Sequence, residues 1–468
     1  MALLEAHTSY GTVVGQPTNY QASTIFKGIP FAKPPVGKLR WRAPEKPEPW
    51  ETVLEANRYG SIPLQKRPDE GSFYRREFYP IEWPSSEDCL YLNVITPAQS
   101  PDEKLPVALW IYGGAFVQGY SNKLETDGEA FAQRGVVYVS FNYRVGPFGF
   151  LSCPNLDDGS ENAIQDNCGL LDQIAALDWV RENIAAFGGD PDHITIFGQS
   201  AGAMSVYDLM CSPLAKGKIV GAVMESGGGP TPDTPNDTNA KETRAYSEKF
   251  IEFLGGLDTA RQTTGEDIMA KWLEFLQANP TKPLPVMPIA DGKTLPKDMV
   301  RAFRGGDFAN VPCIIGTVTD EDKSNGSPTN ALRDGFLCGT LALCEKQAEP
   351  GRIPAYQYHI TNCPPGDDQF GAFHSSEHMY IFQTFLRSWR PYTGADFDLS
   401  NTMCGFWTNF MKTGDPNGNG LPKWSTYASE TKQSMRFDRT QPCEMVDAAN
   451  YDGVAQDLAN NMLGEKRF

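Results

Sequence analysis

Apolar, β-branched runs alternate with longer amphipathic stretches through the first half of the chain, the pattern of strands crossed by helices in an α/β protein. Leu90 to Ile95, Val107 to Tyr112 and Val136 to Asn142 read as strands. Gly169 to Phe187 carries Leu170, Ile174, Leu177 and Ile184 at helical spacing and then meets Gly188-Gly189, which predicts a helix with a glycine stop. Ile194 to Phe197 is a short strand of buried type, and Ala201 onward is helical again, so residue 200 falls at a strand-to-helix corner. Ile219 to Glu225 predicts a further central strand.

The second half is less regular. Gly227 to Asn239 is rich in Gly, Pro, Thr and Asp and predicts a surface loop, which separates the sheet core from a helical excursion at about residues 240 to 310. Strand-like Val311 to Gly316 and Ala355 to Ile360 follow, then helical stretches at Met379 to Arg390 and Ser400 to Thr413. Internal repeats and low-complexity tracts are absent. One domain over residues 1–468, with a central, mostly parallel twisted sheet flanked by helices, accounts for this order better than independent domains do.

Charge and cysteine usage narrow the function classes. The formal charge of −17 repels a phosphate backbone, and no basic cluster with interleaved aromatics offsets it, so nucleic acid and anionic membrane are disfavoured as partners. Met1-Ala2-Leu3-Leu4-Glu5-Ala6-His7 lacks the basic n-region of a secretory signal, and no run approaches the ~18 apolar residues of a membrane span, so a cytoplasmic location is expected. The ten cysteines are scattered without a Cys-x-x-Cys pair, which argues against zinc and for reduced, partly buried thiols.

Candidate chemistry centres on Gly198-Gln199-Ser200-Ala201-Gly202. A serine hydroxyl is a weak nucleophile at neutral pH; it needs a base within hydrogen-bond reach and an exposed place on a tight turn. Gly198 and Gly202 permit that turn, and a strand before with a helix after is the setting of a nucleophile elbow rather than of an ordinary glycine loop. Upstream, Trp110 to Phe116 ends a strand in the small residues Gly113-Gly114-Ala115; the N–H groups of Gly114, Ala115 and Ala201 are the expected oxyanion donors. The base comes by elimination from five histidines, His7, His193, His359, His374 and His378. The chain order Ser, acid, His leaves the last three. His359 alternates within a strand and His378 falls on a following helix, whereas His374 ends the turn Gly371-Ala372-Phe373-His374 and is free to face the serine. The acid is expected after the strand Val311 to Gly316, where Asp320, Glu321 and Asp322 are all eligible.

Further landmarks occur in order: Phe26 to Ala32 with Pro34-Pro35-Val36-Gly37, Glu87-Asp88-Cys89-Leu90-Tyr91-Leu92-Asn93-Val94, Asn142-Tyr143-Arg144, Phe187-Gly188-Gly189-Asp190-Pro191 and Thr413-Gly414-Asp415-Pro416-Asn417. Together with the elbow they resemble the type-B carboxylesterase family over most of the chain. The resemblance implies an α/β-hydrolase fold and a serine carboxylesterase that works through an acyl-enzyme, with broad specificity on small to medium esters and no metal or cofactor. It implies Glu321 as the acid beside Ser200 and His374, and Ser226 as a serine close to that acid.

Departures from the family pattern add expectations. Cys89 matches a cysteine that is disulfide-bonded upstream in many secreted members, yet residues 1–88 hold no cysteine, so that bond cannot form. Asp322 stands where the family usually has Gly. Glu321 and His374 are only 53 positions apart, shorter than the family's usual interval, which predicts a shortened segment between 322 and 373 and a more open site. Loops such as 72–86 and 230–312 are expected to shape the pockets, and Phe73, Tyr74, Phe78, Tyr79 and Trp83 of the first either line the entrance or pack within a surface loop. A non-catalytic binding protein of the same fold, an amidase and a lipase are the competing readings; the intact Ser, Glu and His set disfavours the first. A monomer and a homodimer are equally compatible with the sequence.

Overall fold

The computed structural model describes residues 2–19, 22–153, 165–232, 234–281, 286–325, 329–447 and 453–464. Its apolar runs form one eleven-stranded sheet. In chain order the strands are β1 (Gln16–Pro17), β2 (Thr24–Pro30), β3 (Tyr91–Thr96), β4 (Leu105–Ile111), β5 (Val137–Phe141), β6 (Gly189–Gln199), β7 (Gly221–Glu225), β8 (Cys313–Val318), β9 (Tyr356–Ile360), β10 (Gln433–Phe437) and β11 (Glu444–Asp447). In space they run β11-β10-β9-β8-β7-β6-β4-β5-β3-β2-β1. Strands β4 to β10 are mutually parallel; antiparallel pairs occur only toward the two edges. Every residue of β5, β7 and β8 is buried, as helices on both faces of a parallel sheet require. The mostly parallel sheet is the one expected from the sequence.

The strand order also locates a crevice. The chain passes from β4 to β5 on one side and later returns to lay β6 along the other side of β4. Loops leaving the carboxyl ends of β4 and β6 therefore diverge, and a ligand can enter between them. Tyr112 to Phe116 follow β4, and Ser200 follows β6.

The principal helices are α1 (Cys168–Asn183), α2 (Ala201–Cys211), α3 (Asp237–Phe253), α4 (Gly265–Ala278), α5 (Ala331–Gln347) and α6 (Gly394–Thr413). Helix α1 ends through a 3-10 turn at Gly188, whose φ of 77° only glycine adopts freely, as the glycine stop predicted. Helices α3 and α4 are the longest elements of the helical excursion, which also holds the short helices Leu257–Gln262 and Met299–Gly305; residues 282–285 of it lie outside the described residues, as does Asp233 in the loop before it.

Four elements differ from the sequence reading. Gly227 to Asn239 is not a surface loop throughout: Gly227 to Thr231 are buried, and α3 already begins at Asp237. The stretch Met379 to Arg390 is not one helix: a short turn His378–Ile381 and a 3-10 turn Phe385–Arg387 are separated at Gln383, whose φ is 56°. Helix α6 begins at Gly394 rather than Ser400, because Thr393 and Asp396 form a reciprocal capping box. The interval between 322 and 373 holds the 17-residue α5, which carries apolar residues around most of its circumference and so shows no amphipathic period. Residues 326–328 of that interval lie outside the described residues. All ten cysteines are free thiols, eight of them buried, and no described helix is long and apolar enough to cross a membrane.

Asn142-Tyr143-Arg144 ties the end of β5 to its surroundings. The Tyr112 and Tyr143 rings stack at 4.3 Å, and each hydroxyl donates to the other residue's carbonyl, at 2.7 and 2.9 Å. Arg144 reaches Asp172 on α1 through two side-chain hydrogen bonds of 2.7 and 2.8 Å, and both side chains are buried. Removing only one member strands a buried charge. Arg144→Leu should cost about 3–5 kcal/mol of stability in urea unfolding, whereas replacing both members with leucine should cost much less.

Candidate active site

Ser200 sits between β6 and α2 with φ 57° and ψ −127°, a backbone state that costs about 1–3 kcal/mol for a residue with a side chain. Its surroundings hold it there. The Ser200 N–H donates to the Glu225 carbonyl at 2.8 Å, and the Ser200 carbonyl accepts from Met204 N–H at 2.9 Å. A Cβ on Gly198 would lie 2.6 Å from the Ile111 carbonyl oxygen, and one on Gly202 would lie 2.0 Å from the same atom. Both positions flanking the serine must therefore be glycine for β4 to lie against the turn.

The segment after β4 is held equally closely. A Cβ on Gly113 would meet the Gln199 carbonyl oxygen at 2.3 Å and Ser200 Cβ at 2.9 Å. Gly114 and Ala115 both have positive φ, 133° and 53°. They line the same cavity as Ser200, and among the described residues no carbonyl takes either N–H. Ala201 is the first residue of α2, where an N–H has no partner within the helix.

His374 is brought into this cavity by a second junction. Asp320 and Phe373 form an isolated parallel bridge: Asp320 N–H donates to the Ala372 carbonyl at 2.9 Å, and the Asp320 carboxylate accepts from Ala372 N–H at 2.9 Å. That bridge sets Glu321 Oε2 at 2.5 Å from His374 Nδ1, while Glu321 Oε1 accepts from Val318 N–H at 3.0 Å. Asp322 turns away and accepts from Leu332 and Arg333 N–H at the start of α5. The three neighbouring carboxylates thus make different contacts, and only Glu321 touches the imidazole. Phe336 of α5 stacks on the His374 ring at 5.5 Å.

Ser200 and His374 share the cavity, but no hydrogen bond joins Ser200 Oγ to the imidazole. The side-chain amide of Gln199 instead lies 3.2 Å from His374 Nε2. Hydrogen bonds of this type commonly tighten only when substrate is bound. The other histidines lie elsewhere or are silenced. His359 contacts Thr317 and Thr319, and burial lowers its pKa to about 4. His378 faces the cavity against Trp110 and Phe78, and burial, with the charges of Lys123 and His374, holds its pKa well below the ordinary value. His193 contacts the Met411 carbonyl.

The cavity encloses about 580 Å³, within the usual range for a small-molecule site. Tyr74, Phe78 and Tyr79 line it. Phe73 and Trp83 do not: Phe73 packs on Phe370 and Phe373 behind the His374 turn, and Trp83 packs on Tyr59. Met269, Trp272, Leu273 and Leu276 of α4 supply an apolar wall, so the helical excursion closes one side of the site.

Beneath the serine and histidine lies a buried layer that the sequence reading missed apart from Ser226. Ser226 is fully buried at the end of β7, with φ 50°. Glu225 beside it accepts from the Trp407 indole N–H at 2.7 Å, and burial pushes its carboxyl up to about 8. Glu377 is raised well above the carboxylate range by burial and then by the nearby Glu225 and Glu321. Ligand atoms of Glu225, Glu377 and His378 lie within 4.8 Å of one another, but two neutral carboxyls offer a cation little at neutral pH. A charged residue ending the apolar run Gly221 to Glu225 was the available signal.

A raised folded-state pKa means that the folded protein binds more protons than the unfolded chain, so stability falls as pH rises between the two values. For Glu225 that window runs from 4.5 to about 8. Glu225→Gln keeps an acceptor for Trp407 but cannot ionise. Its melting temperature should fall less steeply than that of the wild type across this window; identical slopes would exclude Glu225 as the titrating group.

Comparison with known proteins agrees with this architecture. The family model described as the carboxylesterase family matches residues 3–333 and 330–454. The para-nitrobenzyl esterase of Bacillus subtilis (strain 168) is 35% identical over 479 residues, covering 92% of this chain and 94% of that protein. The fumonisin B1 esterase of Sphingopyxis macrogoltabida is 38% identical over 476 residues, covering 91% and 84%. A solved structure of a PNB esterase superposes with a TM-score of 0.84 at 32% identity, over 97% of this chain and 99% of that one. The fold is thus that of the α/β-hydrolases, and the chain belongs to the carboxylesterase family as a carboxylic ester hydrolase.

Proposed function

We propose that this enzyme hydrolyses small to medium carboxylic esters through an acyl-enzyme on Ser200, with His374 as base, Glu321 as its orienting acid, and Gly114, Ala115 and Ala201 as oxyanion donors. The observation that carries this reading is the 2.5 Å contact of Glu321 Oε2 with His374 Nδ1, on the wall of the cavity that also holds the elbow serine. A carboxylate at Nδ1 favours the tautomer with the proton there and leaves Nε2 free to accept. The Gln199 amide beside Nε2 is compatible with that form, because an N–H donor needs an unprotonated nitrogen opposite it.

Substrate displaces Gln199 from Nε2, and Ser200 Oγ takes its place. Oγ attacks the ester carbonyl as its proton moves to Nε2, and the carbonyl electron pair moves onto oxygen, facing the three N–H groups. Collapse of the tetrahedral species expels the alcohol, which takes the proton from Nε2. Water then repeats the sequence on the acyl-serine, releasing the acid and restoring the hydroxyl. Glu225 and Glu377, both held neutral, add no repulsion beside the ionic Glu321–His374 pair that forms transiently.

The apolar wall of α4 makes chain length the readable variable. Each added methylene that reaches Trp272 or Leu273 gains up to about 0.8 kcal/mol, or roughly fourfold in kcat/KM. Across para-nitrophenyl acetate, butyrate, hexanoate and octanoate, kcat/KM should rise and then level when the cavity is filled. Ser200→Ala should lower kcat by at least about 10⁴-fold. Turnover that survives in Ser200→Ala would refute the proposal.

A further inference from the structure

The cavity wall carries more positive than negative charge. Its formally charged lining residues are Lys66, Arg67, Asp69 and Lys123, in a chain whose net charge is −17. Two of the cations are answered at the rim, where Lys66 pairs with Asp69 at 3.1 Å and Arg67 with Glu82 at 3.3 Å. Lys123 is placed differently. Its side chain is only 10% exposed, and its ammonium lies 4.6, 5.6 and 5.9 Å from the ring centroids of Tyr79, Phe78 and Tyr120.

These rings attract the charge without accepting its hydrogen bonds along ordinary lone pairs. The ion-pair partner of Lys123 is the buried Glu125, whose Oε1 lies 3.6 Å from the ammonium, longer than an ordinary hydrogen bond, and accepts no other hydrogen bond. Burial pushes the Glu125 carboxyl up to about 7, so its charge answers Lys123 only in part at neutral pH. Apart from this long ion pair, no acceptor among the described residues takes an ammonium N–H. After burial, the charge of Lys123 also lowers the pKa of His378, which lines the same cavity. A nearly buried ammonium on the wall of the reaction cavity, whose one ionic partner is long and only partly charged, can take an anion.

We propose that Lys123 forms an anion subsite, and that the preferred substrates are esters carrying a free carboxylate, such as half-esters of dicarboxylic acids, rather than neutral esters. The proposal rests on the ester-hydrolase reading above and names its substrate class. The carboxylate would dock on Nζ between Tyr79 and Phe78 while the ester carbonyl lies at Ser200. Both groups belong to one molecule, so the anion contact positions the carbonyl as well as binding it.

The test compares methyl hydrogen adipate with methyl hexanoate, and a series of half-esters from succinate to suberate. Wild-type kcat/KM should favour the adipate half-ester by about tenfold or more at low salt, with the preference shrinking as salt is added. Lys123→Met should abolish the ratio chiefly through KM, Lys123→Glu should reverse it, and Lys123→Arg should keep it above one. A wild-type ratio at or below one, or a ratio unchanged in folded Lys123→Met, overturns the proposal. Should that variant fail to fold, inhibition by free adipate, but not hexan-1-ol, of wild-type para-nitrophenyl acetate hydrolysis decides the matter; no inhibition overturns it. Calorimetric binding of adipate to Ser200→Ala reads the subsite without turnover. If wild type hydrolyses no ester but adipate still binds through Lys123, the esterase reading falls and the subsite stands; if esters are hydrolysed but adipate does not bind, the reverse holds.

Discussion

The turn that carries Ser200 depends on two backbones lying closer than side chains allow. Gly198 and Gly202 bracket the serine, and a methyl group at either would run into the Ile111 carbonyl at the end of β4. With no Cβ at those positions, β6 and α2 press against β4, and the positive φ of Ser200 is held by contacts on both sides. The small cost of that strain is offset by a sheet whose central strands are buried throughout. The same closeness places Gly113 under the Gln199 carbonyl, so the loop of candidate oxyanion donors is fixed relative to Ser200 by the packing that makes the elbow.

Electrostatics is arranged in layers around this turn. The Glu321–His374 contact lies nearest the cavity, and the bridge between Asp320 and Phe373 sets its geometry. Below it, Glu225 and Glu377 are held protonated because water cannot reach them. Above it, Lys123 places a positive charge among aromatic rings on the cavity wall. An acidic protein thus surrounds its reaction site with neutral acids and an incompletely answered cation. That local sign opposes the net charge of the chain.

Much of this was legible from local pattern. Buried parallel strands declare themselves as apolar β-branched runs, and the elbow pentapeptide lies between such a run and a helix. Eliminating histidines singled out His374, the one that contacts Glu321. Helix α5 was missed because it is apolar around most of its surface, and the stretch 379–390 misled because a helical period does not reveal the positive φ at Gln383. Among the five aromatics of residues 72–86, composition could not separate Tyr74, Phe78 and Tyr79, which face the cavity, from Phe73 and Trp83, which face other rings.

The sequence by itself determined the class of fold, the elbow and its glycines, and the short set of residues able to act as base or acid, because each follows from chemistry or periodicity over a few neighbouring positions. Tertiary structure decided how three adjacent carboxylates divide their contacts, that Gln199 stands beside His374 Nε2, that Glu225 and Glu377 share a buried layer, and that Lys123 opens onto the cavity. Those outcomes depend on burial and on approaches between segments up to about 180 positions apart, such as Glu225 and Trp407, and neither can be read from local spacing.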